Sequence, residues 1–230
     1  MNELSERIDL PMMAAYVRGA LPGSGPLFSK PLGDLTEEDC AVLLARAKEA
    51  GLKLHYFKRF EELPRVRMTM GFLRGVHPES LLDVGSGLGV FLFPFLREFP
   101  WIPVTSLDLL DRRVDMLRAI HDGGVDNLHP LRQDICAWDA PDASFDVVTL
   151  LEVLEHIPDV QAAVKNAVRL ARRFVAVTVP SKPDDNPEHI HLLTKDVLTG
   201  LFQNAGCGSL RFDGVPGHLF LIARRNGEEP

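Results

Sequence analysis

The feature that most constrains the fold of this chain is a glycine-rich turn that joins two apolar stretches. The segment Leu81-Leu82-Asp83-Val84-Gly85-Ser86-Gly87-Leu88-Gly89 predicts a strand and then a turn, and an apolar run of helical length follows it. Glycines allow the backbone to turn sharply and to approach a ligand, and the following helix presents N–H groups that have no partner within the helix. The turn therefore predicts a ligand site. Asp83 could accept hydrogen bonds there from a ligand or from the amides of the loop.

The spacing of the glycines disfavours a dinucleotide as that ligand. The loop has the pattern G-x-G-x-G and continues with Val90 and Phe91. The dinucleotide fingerprint instead requires a glycine or alanine after two intervening residues, so that the pyrophosphate can approach the helix.

The rest of the chain alternates between strand and helix patterns, which predicts a parallel sheet with right-handed crossovers. Two further strands, near residues 209–215 and 218–223, are separated only by a short turn and should pair antiparallel. We predict an α/β fold with a mostly parallel, Rossmann-like seven-stranded sheet, helices on both faces and an antiparallel C-terminal strand. The other predicted strands are 80–85, 103–108, 128–133, 145–151 and 173–179, with helices at 89–99, 111–121, 159–171 and 194–205.

Acidic residues follow several of these strands. Asp108 and Asp134 each end a strand, and the buried strand at 145–151 continues into Glu152-Val153-Leu154-Glu155-His156-Ile157-Pro158-Asp159. The carboxyl ends of parallel strands share one edge of a sheet, where such folds bind ligands. Both aspartates could alternatively cap the helices that follow.

Residues 79 to 225 resemble the Rossmann-like S-adenosylmethionine-dependent methyltransferases. The glycine loop is similar to the first motif of that family, and FDVVTLLEVLEHIPD is similar to its fourth strand and the loop that follows. The resemblance implies that S-adenosylmethionine is the cofactor and that Asp108 binds the ribose hydroxyls. It also implies that Asp134 lies near the adenine amino group and that Glu152 faces the methyl-transfer side. The cofactor-binding residues expected in this way are Asp83, Gly85, Ser86, Gly87, Gly89, Asp108, Leu109, Asp134, Ile135, Leu151 and Glu152.

Histidines and carboxylates after the fourth and fifth strands are the catalytic candidates, namely Glu152, His156, His189 and His191. The E-x-x-E-H pattern with a downstream histidine resembles metal sites in two branches of the family, the ubiquinone-pathway O-methyltransferases and the small-RNA 3′-terminal 2′-O-methyltransferases. That resemblance implies a divalent metal on Glu152, Glu155, His156 and His191, where it would lower the pKa of an acceptor hydroxyl. Alternatively there is no metal, His156 packs or caps a helix, and a histidine such as His189 is the base.

The first part of the chain is expected to be an addition to the catalytic domain. Residues 1–35 are rich in proline and glycine, which predicts a loop or a loosely packed lid. Helices are predicted at 36–51, where Thr36 and Asp39 form a capping box, and at 64–74. The expected organisation is a loop and helical cover at 1–75, a methyltransferase domain at 76–225 and a tail at 226–230.

Charge and cysteine content limit the partners. The formal net charge is −7, and residues after 75 carry 14 Lys and Arg against 22 Asp and Glu. Such a domain repels phosphate backbones, so a long nucleic acid is not expected. The three cysteines are odd in number and widely spaced, which indicates reduced thiols and a cytoplasmic protein. No signal pattern or membrane-spanning run is present, so no membrane partner is expected.

These observations predict a methyltransferase that acts on a small-molecule hydroxyl or amine. An RNA or protein methyltransferase is an alternative, and so is a non-catalytic cofactor-binding partner subunit. An NAD-dependent oxidoreductase is disfavoured by the glycine spacing and by the antiparallel end of the sheet. The acceptor, the methylated atom and the oligomeric state stay open.

Overall fold

The computed structural model describes residues 8–21 and 23–227. Residues 1–7, 22 and 228–230, which include the ends of the predicted cover and tail, lie outside that range. Within it, the strands are β1 (Leu81–Val84), β2 (Val104–Asp108), β3 (Leu128–Arg132), β4 (Phe145–Leu151), β5 (Ala171–Pro180), β6 (Cys207–Val215) and β7 (His218–Arg225).

The seven strands form one sheet in the order β3-β2-β1-β4-β5-β7-β6. Strands β1 to β5 pair in parallel, and β7 pairs antiparallel with both of its neighbours. The predicted fold class is confirmed, including the antiparallel strand near the C-terminus. The order reverses between β1 and β4, and the crevice at such a reversal is where open sheets of this kind bind ligands.

The helices begin and end close to the predicted positions after residue 35. Proline is the first residue of the helix at 64, where its missing N–H costs nothing. Thr36 and Asp39 form the predicted capping box, and Asp159 and Thr194 cap two later helices. The helices are α1 (Leu10–Ala20), α2 (Pro26–Ser29), α3 (Glu37–Glu49), α4 (Pro64–Val76), α5 (Leu92–Glu98), α6 (Asp111–Asp122), α7 (Val160–Leu170) and α8 (Lys195–Asn204).

The core has two parts, one on each face of the sheet. Neighbouring strand residues point to opposite faces, so Leu81 and Val147 belong to one part while Leu82 and Val148 belong to the other. Helices α1, α4, α5 and α6 cover the first face, and α7 and α8 cover the second. None of the described helices is long and apolar enough to cross a membrane.

The prediction of a loop throughout residues 1–35 is wrong for α1. Asp9 caps this helix by accepting a hydrogen bond from the Met12 N–H, and Pro11 lies in its first turn, where proline is tolerated. Met13 and Val17 are fully buried in the first part of the core. The density of proline and glycine suggested a loop, but Pro11 lies in the first turn of α1 and Gly19 near its end, where both residues are compatible with a helix.

Helix α1 crosses α6 with the two backbones in close contact. A Cβ atom at Gly19 would overlap the carbonyl oxygen of Ala119, and one at Gly123 would overlap that of Ala15. Residues 10–20 therefore pack closely against α6, where the sequence predicted a loop or a loosely packed lid.

Candidate active site

A cavity of about 830 Å³ opens at the carboxyl edge of the sheet. It lies where β1, β2 and β4 end, next to the segment after β3 and the first turn of α4. The predicted cofactor-binding residues that line this cavity are Asp83, Gly85, Ser86, Gly87, Asp108, Leu109, Asp134, Ile135, Leu151 and Glu152. Gly89 does not line it. The residues predicted from separate strand ends therefore line one cavity.

The three glycines of the loop have different roles. All have positive φ angles, which are 67° at Gly85, 58° at Gly87 and 79° at Gly89. A Cβ at Gly89 would overlap the ring of Phe93, and one at Gly85 would lie 2.6 Å from a methyl carbon of Val153. A Cβ at Gly87 would meet only its own loop, at 3.7 Å. Gly87 is thus the position at which a ligand can approach the backbone, while Gly89 is required by packing.

Asp83, in β1, stabilises the glycine loop that follows this strand. Its side chain is buried and accepts hydrogen bonds from the hydroxyls of Ser86, at 2.6 Å, and Thr149, at 2.7 Å. Burial raises the pKa of Asp83 to about 6, although the two hydrogen bonds act in the opposite direction. The sequence predicted that Asp83 would accept hydrogen bonds from a ligand or from amides of the loop. In the structure the loop does contact Asp83, but through the hydroxyl of Ser86 and not through an amide.

Asp108 joins the loop to the end of β2. Its carboxylate accepts hydrogen bonds from the N–H of Gly87 at 3.3 Å and from that of Leu110 at 3.0 Å. Arg113 also donates to it, at 3.3 Å. The carboxylate thus tightens the turn before α6 and still lines the cavity, so the capping and ligand roles are compatible.

The segment after β3 forms the far wall of the cavity. Asp134 is exposed and accepts a hydrogen bond from the Cys136 N–H at 2.9 Å, while Ile135 is buried. Leu109, one residue after β2, lines the same cavity and is 58 % exposed. Apolar side chains with a few polar groups among them are the usual lining of a small-molecule site.

Glu152 and His156 line the cavity at the end of β4. Glu152 has a positive φ of 58°, and its Oε2 lies 2.9 Å from Nε2 of His218. Nε2 of His191 lies 3.0 Å from the carbonyl oxygen of Ile157. Since a carbonyl oxygen only accepts hydrogen bonds, His191 is the donor. Neither His189 nor His191 lines the cavity.

The structure groups Glu155, His156 and His189, whose candidate ligand atoms all lie within 4.8 Å of one another. This differs from the predicted metal set of Glu152, Glu155, His156 and His191. Glu152 is paired with His218, and the Nε2 atom of His191 is occupied by a backbone carbonyl. Two of the four predicted ligands therefore have one candidate atom bonded to another group, and the structure places His189 instead of His191 beside Glu155 and His156.

Glu155 has an unusual environment. Its side chain is 1 % exposed, and neither carboxylate oxygen has a hydrogen-bond partner among the described residues. Burial raises the pKa of Glu155 to about 8, and the negative charges of Glu152 and Asp184 add to the effect. A buried carboxylate without donors is costly, so this position favours a proton or a cation.

Several cavity residues were missed in the sequence. Arg113 lies five residues after Asp108, and a search for oppositely charged residues near Asp108 could have found it. Arg65 and Val66 come from α4. His218 of β7 does not line the cavity itself but contacts Glu152, which does. Their proximity depends on the order of strands in the sheet, which no local pattern specifies.

A second cleft of about 880 Å³ lies between α4, α5 and the turn after β6. All four of its arginines have a carboxylate neighbour, since Arg74 pairs with Glu98, Arg67 with Glu62, and Arg59 and Arg97 share Glu61. Without a free charge or the glycine loop, this cleft is a weaker candidate than the cavity at the sheet edge.

Residues 54–209 match the methyltransferase domain family. A ubiquinone biosynthesis O-methyltransferase of Paracidovorax citrulli is 32% identical over 122 residues, covering 50% of this chain and 49% of the relative. One from Idiomarina loihiensis is 35% identical over 115 residues, covering 47% and 45%. The chain thus matches these curated relatives over about half of their length.

Solved structures share the fold. An O-methyltransferase family protein from Burkholderia thailandensis superimposes with a TM-score of 0.55 at 16% identity, covering 84% of this chain and 61% of that one. A SAM-dependent methyltransferase from Aquifex aeolicus gives a TM-score of 0.53 at 18% identity, covering 64% and 81%. At these identities the likeness concerns the fold alone.

Proposed function

The chain belongs to the methyltransferase domain family, and we propose that it transfers a methyl group from S-adenosylmethionine to a small-molecule hydroxyl or amine. The observation that carries this proposal is the single cavity that combines Gly87, Asp108 and Asp134 at the reversal point of the sheet. The names of the relatives support an oxygen acceptor, because the matched half of this chain corresponds to O-methyltransferases.

In this proposal the cofactor lies across the carboxyl ends of β1, β2, β3 and β4. Asp108 binds the ribose hydroxyls, and adenine lies between Leu109 and Ile135 with its amino group near Asp134. The methionine part passes over Gly87. The sulfonium and its methyl group then point towards Leu151 and Glu152, where β4 ends and where the acceptor binds.

The main contribution of the protein is alignment. Methyl transfer is an in-line displacement in which the thioether leaves without a proton, and alignment can supply roughly 7–11 kcal/mol of the barrier. A hydroxyl acceptor must in addition lose its proton. The cavity residues next to the methyl-transfer side that can accept a proton or a hydrogen bond are Glu152 and His156.

Calorimetry tests the cofactor assignment. We expect S-adenosylmethionine and S-adenosylhomocysteine to bind the purified protein, and NAD to bind much more weakly. Incubation with cofactor carrying a deuterated methyl group, together with hydroxyl- and amine-bearing metabolites, would then identify the acceptor by mass spectrometry. If NAD binds as well as S-adenosylmethionine, the proposal is wrong.

We extend the proposal to a divalent cation held by Glu155, His156 and His189. The two unpartnered oxygens of Glu155 fit a cation. Nδ1 of His156 faces the Glu188 carbonyl at 2.9 Å, and Nδ1 of His189 faces Asp184 at 2.8 Å, which leaves both Nε2 atoms for a metal. Two imidazoles and one carboxylate suit Mn, Zn or Fe better than Mg. A cation bound here would lower the pKa of an acceptor hydroxyl.

Metal content tests this extension without an activity assay. After dialysis against Mn²⁺ or Zn²⁺, the wild-type protein should retain about one equivalent by mass spectrometry. The double variant His156→Ala, His189→Ala should retain none, whereas His191→Ala should behave like the wild type. Equal metal in all three proteins would exclude this site, and His156 alone would then be the preferred base.

A further inference from the structure

Glu152 is held in a backbone conformation that glutamate rarely adopts. It follows the last residue of β4, and its N–H donates to the Thr178 carbonyl at 2.9 Å. Its φ of 58° lies in the left-handed region, where side chains other than those of glycine, asparagine and aspartate are uncommon. Such residues persist where the surroundings fix them, and they cluster at functional sites.

The surroundings that fix Glu152 include the hairpin of β6 and β7. Nδ1 of His218 lies 3.1 Å from the carbonyl oxygen of Pro216, and Nε2 lies 2.9 Å from Oε2 of Glu152. A carbonyl oxygen only accepts, so Nδ1 is the donor to Pro216, and Nε2 faces the carboxylate of Glu152 at hydrogen-bond distance. His218 thus anchors one oxygen of Glu152 from the side away from the glycine loop.

The other oxygen of Glu152 has no partner. Oε1 is buried and accepts no hydrogen bond from any described residue, although Glu152 lines the cavity. A buried carboxylate oxygen left unpaired is unfavourable, so the fixed conformation is explained if a ligand supplies the missing donor.

We propose that Glu152, positioned by His218, accepts a hydrogen bond through Oε1 from the proton-bearing atom of the methyl acceptor. This rests on the proposed function, which places the transferred methyl group at the end of β4. The acceptor class that follows is a hydroxyl or an amine with an N–H or O–H to donate. Glu152 contacts the acceptor, and His218 is a positioning residue that acts through it.

Sinefungin tests the proposal without knowledge of the acceptor. In this analogue an amino group on carbon replaces the methylsulfonium, so it places an N–H donor where the methyl group would be. S-adenosylhomocysteine has no group there and serves as the reference ligand. Calorimetry on each variant should therefore report the dissociation constant of S-adenosylhomocysteine divided by that of sinefungin. This ratio falls when sinefungin alone binds more weakly.

We expect Glu152→Gln to weaken sinefungin about tenfold and to leave S-adenosylhomocysteine within about twofold, because a neutral amide replaces the charged acceptor that faces the amino group of sinefungin. Glu152→Asp suits the left-handed backbone better and shortens the reach, so it should also lower the ratio. His218→Leu should act like Glu152→Gln, whereas His218→Gln, which keeps a donor, should restore most of the ratio. Glu38→Gln and His129→Leu, at exposed positions, are the matched controls.

Two results would overturn the proposal. If both ligands weaken equally in the Glu152 and His218 variants, the pair has only a structural role. If His218→Gln is as defective as His218→Leu in a folded protein, the hydrogen bond from position 218 is not what matters. Failure of the wild type to bind either ligand would be a different result, because it would refute the proposed function itself.

Discussion

At the scale of single residues, the carboxylates at the sheet edge hold the glycine loop and also line the cavity. Asp83 holds the glycine loop through Ser86, and Asp108 holds the same loop through the Gly87 N–H. Both acids are buried.

Replacing Asp108 with alanine should weaken binding of S-adenosylhomocysteine by about 1–3 kcal/mol, since a charged acceptor is removed from the ribose diol. Asp108→Asn should lose less, because the amide oxygen can still accept from Gly87. Calorimetry on both variants measures this difference. An unchanged affinity in a folded alanine variant would remove Asp108 from the ribose site.

The raised pKa of Asp83 makes a prediction about stability and pH. The folded protein keeps the proton of Asp83 up to about pH 6, whereas the unfolded chain releases it near pH 3.8. The folded state therefore binds more protons in this window, and stability falls as pH rises from about 4 to 6. The contribution is on the order of 3 kcal/mol.

Asp83→Asn should abolish that contribution. Urea unfolding at pH 4 and pH 7 should show the variant gaining stability relative to the wild type as pH rises. Asp126→Asn, at an exposed position, controls for the loss of one carboxyl group. Parallel pH profiles for the wild type and Asp83→Asn would show that Asp83 does not titrate in this range.

At the scale of elements, the contact between α1 and α6 depends on glycine. Gly19→Ala should destabilise the protein by about 1–3 kcal/mol, because its Cβ would overlap the Ala119 carbonyl. Gly71→Ala is the matched control, since Gly71 lies within α4 with open space beside it. That change should stabilise the protein by about 0.5–1 kcal/mol. Thermal unfolding of both variants should shift in opposite directions, and two shifts of the same sign would contradict the described contact.

Elements with a strong local signal were predictable from the sequence. The capping box of Thr36 and Asp39, Pro64 at a helix start and the glycine loop after β1 all act within a few residues. Contacts across the sheet were not predictable in the same way. His218 meets Glu152 only because β7 inserts beside β5, and a local pattern cannot report the insertion. The predicted metal ligands differ from the group that the structure brings together for the same reason, since the choice between His189 and His191 depends on the loop after β5.

At the scale of the whole molecule, the N-terminal region belongs to the core of the sheet. The first part of the core contains Met13 and Val17 together with Leu81 and Val104. The predicted boundary at residue 75 therefore separates residues that share one apolar interior. Removing the early residues would uncover that interior and not just open a cavity.

Deleting residues 1–21 should abolish cooperative thermal unfolding, because α1 covers part of the first face of the sheet. Hydrogen exchange at residues 12–18 should be slow in the ligand-free protein and should change little when S-adenosylhomocysteine binds. Fast exchange that slows only on binding would restore the idea of a mobile cover for this helix. A deletion variant that melts like the wild type would show that α1 is dispensable.

The position of β7 also affects the order in which the chain can fold during synthesis. This strand lies between β5 and β6 but follows both in the sequence, so β6 has no neighbour to pair with until residues 218–225 have left the ribosome. Until then a nascent chain presents the open edge of β5, to which another unfinished chain could bind. His218 is the first residue of the late strand. The strand that joins β6 to the sheet therefore also supplies the histidine that contacts Glu152, so the proposed methyl-transfer side is completed only when the sheet is.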